Sequence, residues 1–255
     1  MKNSKSFYIL PVLALISACG GSSDDSIVTK PAASPEKLYS DARSKINKQH
    51  YKDAIKDFEE VERQHPYSPW AMHAQVMSGY ASYEIEDYDT AVSTLERFVR
   101  LYPNNESTAY AYYLIALCYY EQISDVGRDQ KVTVQAMNAL REVVVKFPNT
   151  DYARDAKIKL ELTQDHLAGK EMQVGRYYLK QNDTLAAINR FRFVIDNYQT
   201  TSHVPEALHR LVEAYLKLGI TAEANRYAAV LGHNFPNSLW YRDSYKLLNG
   251  IALAK

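Results

Sequence analysis

One arrangement of apolar and polar residues occurs five times along the chain, and each copy closes at a proline or, once, at a glutamine. The residues twelve, eight and five positions before each closing residue are apolar. Steps of three and four residues lie on one face of an α-helix, so each copy predicts an amphipathic helix whose buried face begins with alanine. The closing residues are Pro66, Pro103, Pro148, Gln199 and Pro236; the apolar sets are Ala54, Ala91, Ala136, Ala187 and Ala224, then Phe58, Leu95, Leu140, Phe191 and Ala228, then Val61, Phe98, Val143, Val194 and Leu231.

A further helix is predicted upstream of each of these, because a small residue is followed four positions later by an apolar one. Small residues allow two helices to approach closely, and proline ends a helix. The pairs are Ala42 and Ile46, Gly79 and Tyr83, Ala116 and Tyr120, Gly175 and Leu179, and Ala214 and Leu218. The order helix, turn, helix, proline resembles the tetratricopeptide repeat. The predicted fold class is therefore all-α, an α-α superhelix of five tetratricopeptide-like repeats.

Two insertions interrupt the regular spacing. Residues 123–130 (ISDVGRDQ) predict a polar loop inside repeat three, and residues 151–181 contain no proline and predict one long helix before repeat four. We expect an N-terminal block of repeats one to three at 35–150. A C-terminal block at 151–250 is expected to hold the long helix, repeats four and five and a capping helix.

The N-terminus has the layout of a secretory signal at residues 1–18. Lys2 and Lys5 precede an apolar stretch at 7–16, which is too short to span a bilayer as a helix. The residues Ile-Ser-Ala before Cys19 resemble a lipobox, so Cys19 is the predicted lipidation site; the alternative is an ordinary secretory signal with a chance cysteine. Gly20 after the cysteine suggests the outer membrane by analogy with enterobacterial sorting. Residues 19–34 are small and polar and predict a flexible tether.

Charge and motifs argue against nucleic-acid binding and against catalysis. The 255-residue chain has 30 basic and 30 acidic residues, and loss of Lys2 and Lys5 with the signal leaves 28 against 30. That balance provides no electrostatic attraction for nucleic acid. No HExxH, CxxC, GxSxG or phosphate-binding loop occurs, so we expect no metal, no cofactor other than covalent lipid, and no enzyme. Cys118 lies in the apolar stretch YLIALCYY and is predicted to be buried and inert.

The candidate sites are therefore surfaces. Tyrosine is abundant, with 21 residues, and many lie on the first helices of repeats one to three. Exposed members would suit an extended or turn-forming peptide with an aromatic end; the candidates are Tyr67, Tyr80, Tyr83, Tyr112 and Tyr113. In repeat four, Arg190 and Arg192 lie off the buried stripe and are either solvated charges or an anchor for a partner's carboxylate.

The lipobox, the tether, the five repeats and the long helix together resemble the BamD family, lipoproteins of outer-membrane β-barrel assembly. The segments YYEQISDVGRDQ, DHLAGKEMQVGRYYLKQND and LAAINRFRFVIDNYQTTSHVPEALHRLVEAY are similar to its alphaproteobacterial branch. The resemblance implies a non-enzymatic scaffold anchored to the periplasmic face of the outer membrane. It also implies binding of the barrel-forming subunit BamA through the C-terminal repeats. Arg190 matches an arginine that the family uses towards BamA in the second helix of repeat four. Other lipoproteins of the assembly complex are further implied partners. N-terminal repeats would engage signals of unfolded barrel proteins, and the short 123–130 loop puts contacts of the longer enterobacterial loop in doubt.

Two other classes remain open from the residues alone. A tetratricopeptide lipoprotein could serve pilus or secretin assembly or coordinate the cell envelope. An enzyme acting on peptidoglycan would need a cluster of titratable groups, and the positions of the histidines and carboxylates offer none.

Overall fold

Helices follow one another in antiparallel pairs over residues 33–250, the part of the chain that the structure, a computed structural model, describes. No strand occurs between these residues, and the all-α prediction is confirmed. The predicted signal, Cys19 and most of the predicted tether lie outside the described residues. The helices are α1 (Pro35–Asn47), α2 (Tyr51–Gln64), α3 (Pro69–Glu84), α4 (Tyr88–Leu101), α5 (Thr108–Glu121), α6 (Lys131–Lys146), α7 (Asp151–Lys180), α8 (Thr184–Asn197), α9 (Val204–Lys217), α10 (Thr221–Asn234) and α11 (Leu239–Leu248).

The five-fold register defines the core. None of the fifteen residues predicted on the buried faces of α2, α4, α6, α8 and α10 is more than 6% exposed, and the five alanines are at 0%. Each of these helices packs on its neighbours before and after it, so the core continues from repeat to repeat. Such stacking is the arrangement of a solenoid, and the prediction of five tetratricopeptide-like repeats is confirmed.

Glycine at two helix crossings lets large side chains fill the gap between helices. A β-carbon at Gly79 on α3 would lie 2.6 Å from Leu95 Cδ2 on α4. A β-carbon at Gly175 on α7 would lie 2.5 Å from Phe191 Cε1 on α8. No real side chain tolerates such distances, so the small residues predicted at these crossings are required by the packing.

The second helix of every repeat ends two residues before the predicted closing residue, and the residue between them is the C-cap. The C-cap residue is a half-buried aromatic or histidine. Its backbone N–H donates to the carbonyl four residues earlier, as that of Tyr102 does to the Phe98 carbonyl at 2.9 Å. Its backbone then leaves the helical region, as a residue before proline prefers. Tyr198 has the same conformation (φ −129°, ψ 48°) although Gln199 follows it, so proline is not essential for the stop.

Helix α7 is continuous for 30 residues and belongs to two repeats. It packs on α5 and α6 as well as on α8, so it closes repeat three and opens repeat four. The predicted long helix is confirmed, one residue shorter than expected because Gln181 is its C-cap. The loop at 122–130 meets it where Lys170 Nζ donates to the Gly127 carbonyl at 3.1 Å. The division into blocks at 35–150 and 151–250 stays a prediction.

The last helix, α11, covers the apolar face of the final repeat. It packs on α9 and α10, and a hydrogen bond of 2.8 Å joins His209 Nδ1 to Ser244 Oγ in the interior. The helix predicted from Ala214 and Leu218 is α9; Ala214 is buried in it, whereas Leu218 is its C-cap and is 39% exposed.

Candidate functional site

Five tyrosines from three neighbouring helices lie close together in the first half of the molecule. Tyr110 and Tyr113 on α5 lie 5.5 and 5.4 Å, ring to ring, from Tyr152 on α7. Tyr80 and Tyr83 on α3 are close enough for their hydroxyls to influence the pKa of Tyr110. All five are partly exposed. We call Tyr80, Tyr83, Tyr110, Tyr113 and Tyr152 the tyrosine surface.

The α3 and α5 sides of the tyrosine surface are neutral along their length and negative at one end. Apart from their last residues, Glu84 and Glu121, α3 and α5 contain no acidic residue, lysine or arginine. Burial and a hydrogen bond to Glu84 raise the pKa of Tyr80 to about 12, and burial and the charge of Glu121 raise that of Tyr83 to about 12. The hydroxyls therefore stay protonated at any physiological pH and act as neutral donors.

Helix α7 forms one wall of the tyrosine surface. Tyr113 donates its hydroxyl hydrogen to Asp155 Oδ2 at 2.6 Å, and Lys159 Nζ lies 2.8 Å from the same oxygen. The hydrogen bonds from Lys159 and Tyr113, with the lysine's charge, outweigh burial and lower the pKa of Asp155. Sequence reasoning misses Tyr152 and Asp155, because the sequence of the long helix does not show that it borders a binding surface.

Two of the predicted peptide-binding tyrosines lie elsewhere. Tyr112 packs on Phe147, at 5.4 Å between rings, and accepts a hydrogen bond of 2.8 Å from Lys146 Nζ. Adjacent helical residues point about 100° apart, so Tyr112 cannot share the face of Tyr113. Tyr67 is in the α2–α3 turn and is 100% exposed. The structure thus groups Tyr80, Tyr83 and Tyr113, and leaves Tyr67 and Tyr112 apart from them.

The two predicted arginines of repeat four are exposed on opposite sides of α8. Arg190 Nη1 donates to Glu171 Oε2 on α7 at 3.1 Å. Arg190 also lines a shallow cavity of about 280 Å³ with Tyr178, Ala186, Asn189 and the 44% exposed Phe193. Arg192 lies towards α10, where its charge acts on Tyr227. Only Arg190 therefore combines a held guanidinium with an exposed aromatic ring, a pairing typical of interface hot spots.

Other candidates for chemistry are weaker. Cys118 is completely buried, and burial raises the pKa of its thiol to about 12. Between residues 33 and 250, no three histidine, cysteine or carboxylate side chains come together as a metal site. In the same part of the chain no helix is long and apolar enough to cross a bilayer.

Comparison with known proteins identifies the family. The YfiO family, described as "Outer membrane lipoprotein", matches residues 31–248. The chain is 50% identical over 238 residues, 93% of its length and 78% of the relative's, to a Caulobacter vibrioides protein, and 45% identical over 249 residues, 97% and 98%, to one of Rickettsia prowazekii. Both are named "Outer membrane protein assembly factor BamD".

Among solved structures, a thermophilic tetratricopeptide-repeat protein of Thermus thermophilus is similar at a TM-score of 0.37 and 18% identity, covering 85% of this chain and 99% of that one. The family match and the two relatives span nearly the whole described unit, including the long helix and both candidate surfaces. The chain belongs to the YfiO family of outer membrane lipoproteins.

Proposed function

We propose that this chain is a scaffold in the assembly of outer-membrane proteins, working by binding and not by catalysis. One observation carries this: two relatives named as outer-membrane protein assembly factors share 50% and 45% identity with it over nearly its whole length. Those names favour the assembly role over the pilus, cell-envelope and peptidoglycan alternatives.

The C-terminal repeats are the proposed contact for the barrel-forming subunit BamA. Arg190 is held by Glu171 from the neighbouring helix and lies beside the exposed ring of Phe193. A carboxylate of BamA could form two parallel hydrogen bonds with this guanidinium. Phe193 and Tyr178 would add apolar contact area. Arg192, on the other side of α8, is a separate candidate that the same partner would reach only by wrapping around the helix.

The tyrosine surface is the proposed site for signals of unfolded barrel proteins. Half-buried rings fixed by their neighbours lose little conformational entropy when a peptide packs on them. The hydroxyls of Tyr80 and Tyr113 already donate to Glu84 and Asp155 and can accept from a peptide N–H, while the other hydroxyls of the surface can donate to backbone carbonyls. Extended peptide segments present such carbonyls along with aromatic side chains. Tyr80, Tyr83 and Tyr113 remain candidates for this role. Tyr67 lies in the α2–α3 turn and Tyr112 packs on Phe147, so neither is part of the tyrosine surface.

The proposed attachment to the periplasmic face of the outer membrane is a lipid on Cys19, with other assembly lipoproteins as neighbours. A single acyl chain holds a protein only marginally, and two or three hold it firmly. Cys19→Ser is expected to release the chain from washed outer membranes, as measured by fractionation. The direct test is labelling of cells with a radioactive fatty acid: absence of label from the parent chain would disprove the anchor.

Depletion of the chain in its own cells tests the assembly role directly. Several outer-membrane barrels should fall together, measured as loss of their heat-modifiable folded forms. The control is a plasmid-borne copy of the chain, which should restore them. Normal barrel levels, with loss of pili or of envelope constriction instead, would overturn the proposal.

A further inference from the structure

Among the second helices of the five repeats, the last turns of α2, α4 and α6 share a composition that α8 and α10 do not show. These turns end at equivalent positions, so in a stack of repeats they lie along one edge. Each presents a cation in the last helical turn, and each contributes, there or in the following turn, a large exposed apolar side chain. The apolar members are Tyr67, Leu101 and Val145, at 100%, 57% and 71% exposure, and the cations are Arg63, Arg100 and Lys146. We call these six residues the basic-apolar edge.

Repeats four and five show that the repeat itself does not require this composition. The positions equivalent to Arg63, Gln64 and Tyr67 are polar there and carry no lysine or arginine. They are Asp196, Asn197 and Thr200 in repeat four, and His233, Asn234 and Asn237 in repeat five. Asparagine also occupies the Tyr67 position in repeats two and three, as Asn104 and Asn149. A large ring at this place is therefore a property of the first repeat alone.

The ring of Tyr67 is kept in water by a rigid turn. Pro66 and Pro69 fix the backbone on both sides, Ser68 N donates to the His65 carbonyl at 3.0 Å, and Ser68 Oγ accepts from Trp70 N at 3.2 Å. A fully exposed ring contributes nothing to the core, so Tyr67 is free to contact a surface outside the described chain. A rigid turn also presents the ring with little loss of entropy on binding.

The chain enters the described unit beside this edge. The carbonyl of Ala33 lies 3.0 Å from His65 Nε2, and His65 precedes Tyr67 by two residues. Fourteen residue steps separate Cys19 from Ala33, which limits the distance between them to about 50 Å. If Cys19 carries lipid, the attachment therefore reaches the repeat array at the repeat-one end of this edge.

We propose that the basic-apolar edge rests on a phospholipid surface, an inference that relies on the proposed anchor at Cys19 for its orientation. Tyrosine is favoured at the headgroup level of a bilayer, and lysine and arginine are attracted by anionic headgroups. Glu60 and Glu142 pair with Arg63 and Lys146. The edge is therefore only weakly basic, and its apolar side chains supply most of the binding. The contact orients the array on the membrane, which one flexible attachment point cannot do.

Vesicle binding by a chain without lipid tests the edge separately from the anchor. The parent chain lacks residues 1–18 and carries Cys19→Ser, and the probe is vesicles of phosphatidylethanolamine with phosphatidylglycerol. The edge variant adds Tyr67→Asn, Leu101→Asn and Val145→Asn. Asparagine occupies the Tyr67 position in repeats two, three and five and the Leu101 position in repeats four and five, and at 145 it replaces an apolar side chain with a polar one. We expect co-sedimentation to fall about tenfold or more, since three apolar side chains leave the contact.

A matched variant changes three equally exposed residues elsewhere. It carries Tyr245→Asn, Leu239→Asn and Ile158→Asn, at 59%, 65% and 61% exposure, and is expected to bind vesicles like the parent. Equal losses in both variants, no loss in the edge variant, or no vesicle binding by the parent would each overturn the proposal. So would loss of BamA co-purification in the edge variant without loss of vesicle binding, which would identify the edge as a protein contact. Failure of the anchor alone appears as absence of fatty-acid label on the full chain, while vesicle binding by the chain without lipid stays as expected.

Discussion

Gly175 on α7 lies directly against the ring of Phe191 on α8, so closely that a β-carbon would be 2.5 Å from Cε1 and 2.9 Å from Cδ1. Phe191 is fully buried. The ring fills the space that a side chain on α7 would need, and the long helix can approach α8 only because residue 175 has none. This contact joins the end of the long helix to repeat four.

Gly175→Ala is expected to destabilise the fold by about 1–3 kcal/mol, the range for overpacking a core. Helix propensity acts in the opposite direction, since alanine is favoured over glycine by about 1 kcal/mol. Urea denaturation followed by circular dichroism measures the difference. Gly169→Ala is the control, because its β-carbon would meet only the movable His203 ring, at 3.1 Å; an equal loss there would contradict the packing explanation.

The turns between the two helices of four repeats contain one residue with positive φ, and only repeat five has glycine there. Glu86 has φ 61° and Gly219 has φ 74°. A left-handed conformation costs an ordinary residue about 1–2 kcal/mol. Glu86→Gly should therefore raise the free energy of unfolding by up to about 1 kcal/mol, and Gly219→Ala should lower it by a similar amount, both measured by urea denaturation. Gln122→Gly, at φ −86°, should give no gain.

Cys118 is expected to be unreactive in the folded chain. Burial raises the pKa of its thiol to about 12, so almost no thiolate exists at pH 8, and no reagent reaches the sulfur. In the Cys19→Ser chain, a coloured disulfide reagent should report no free thiol without denaturant and one thiol in urea. Rapid labelling of the native chain would show that the core opens at this place.

The network around Glu213 predicts a loss of stability in acid. Burial alone would raise the pKa of Glu213, but hydrogen bonds from His209 and Arg210 and their charges outweigh it and hold the pKa below its ordinary value of 4.5. A carboxyl with a lowered folded pKa stabilises the protein above its unfolded pKa, and this contribution disappears as the pH falls through the folded value. The midpoint temperature of thermal unfolding should decrease between pH 6 and pH 3, about the range of this titration. The decrease should be less steep for Glu213→Gln than for the parent. Identical slopes would remove Glu213 from the explanation.

Arg190→Glu is expected to weaken BamA capture while leaving the helical content unchanged. The arginine is exposed and its one described ion pair is with Glu171, so the fold does not depend on it. Loss of an interface arginine of this kind costs about 2 kcal/mol, which a pull-down titration detects. Arg192→Glu and Glu171→Gln are the comparisons: the first tests the other side of α8 and the second tests whether the ion pair alone matters. Unchanged capture by Arg190→Glu would exclude this residue from the interface.

The fold was predictable from the sequence because its determinants are local and repeated. Ala54, Ala91 and their equivalents recur at a fixed distance from an aromatic or histidine and a proline, and each such set specifies a helix face and a helix end. The long helix was equally visible, since no proline interrupts residues 151–181.

The surfaces were only partly predictable, because they depend on which helices meet. Tyr112 and Tyr113 look alike in the sequence, yet one packs on Phe147 and the other reaches Asp155 on α7. Tyr152 gave no signal, because nothing in a single helix shows which neighbour its ring will touch. Leu218 is apolar like the other members of its set, yet it is 39% exposed because α9 ends at Lys217.

Asp155 and Glu171 belong to the same uninterrupted helix, about 24 Å apart along its axis at 1.5 Å per residue. One holds Tyr113 of the tyrosine surface, and the other holds Arg190. A peptide bound at the tyrosine surface and a subunit bound at Arg190 would thus both contact one continuous, stiff helix. The helix keeps the two surfaces at a constant separation, so a polypeptide passing between them would always cross the same distance.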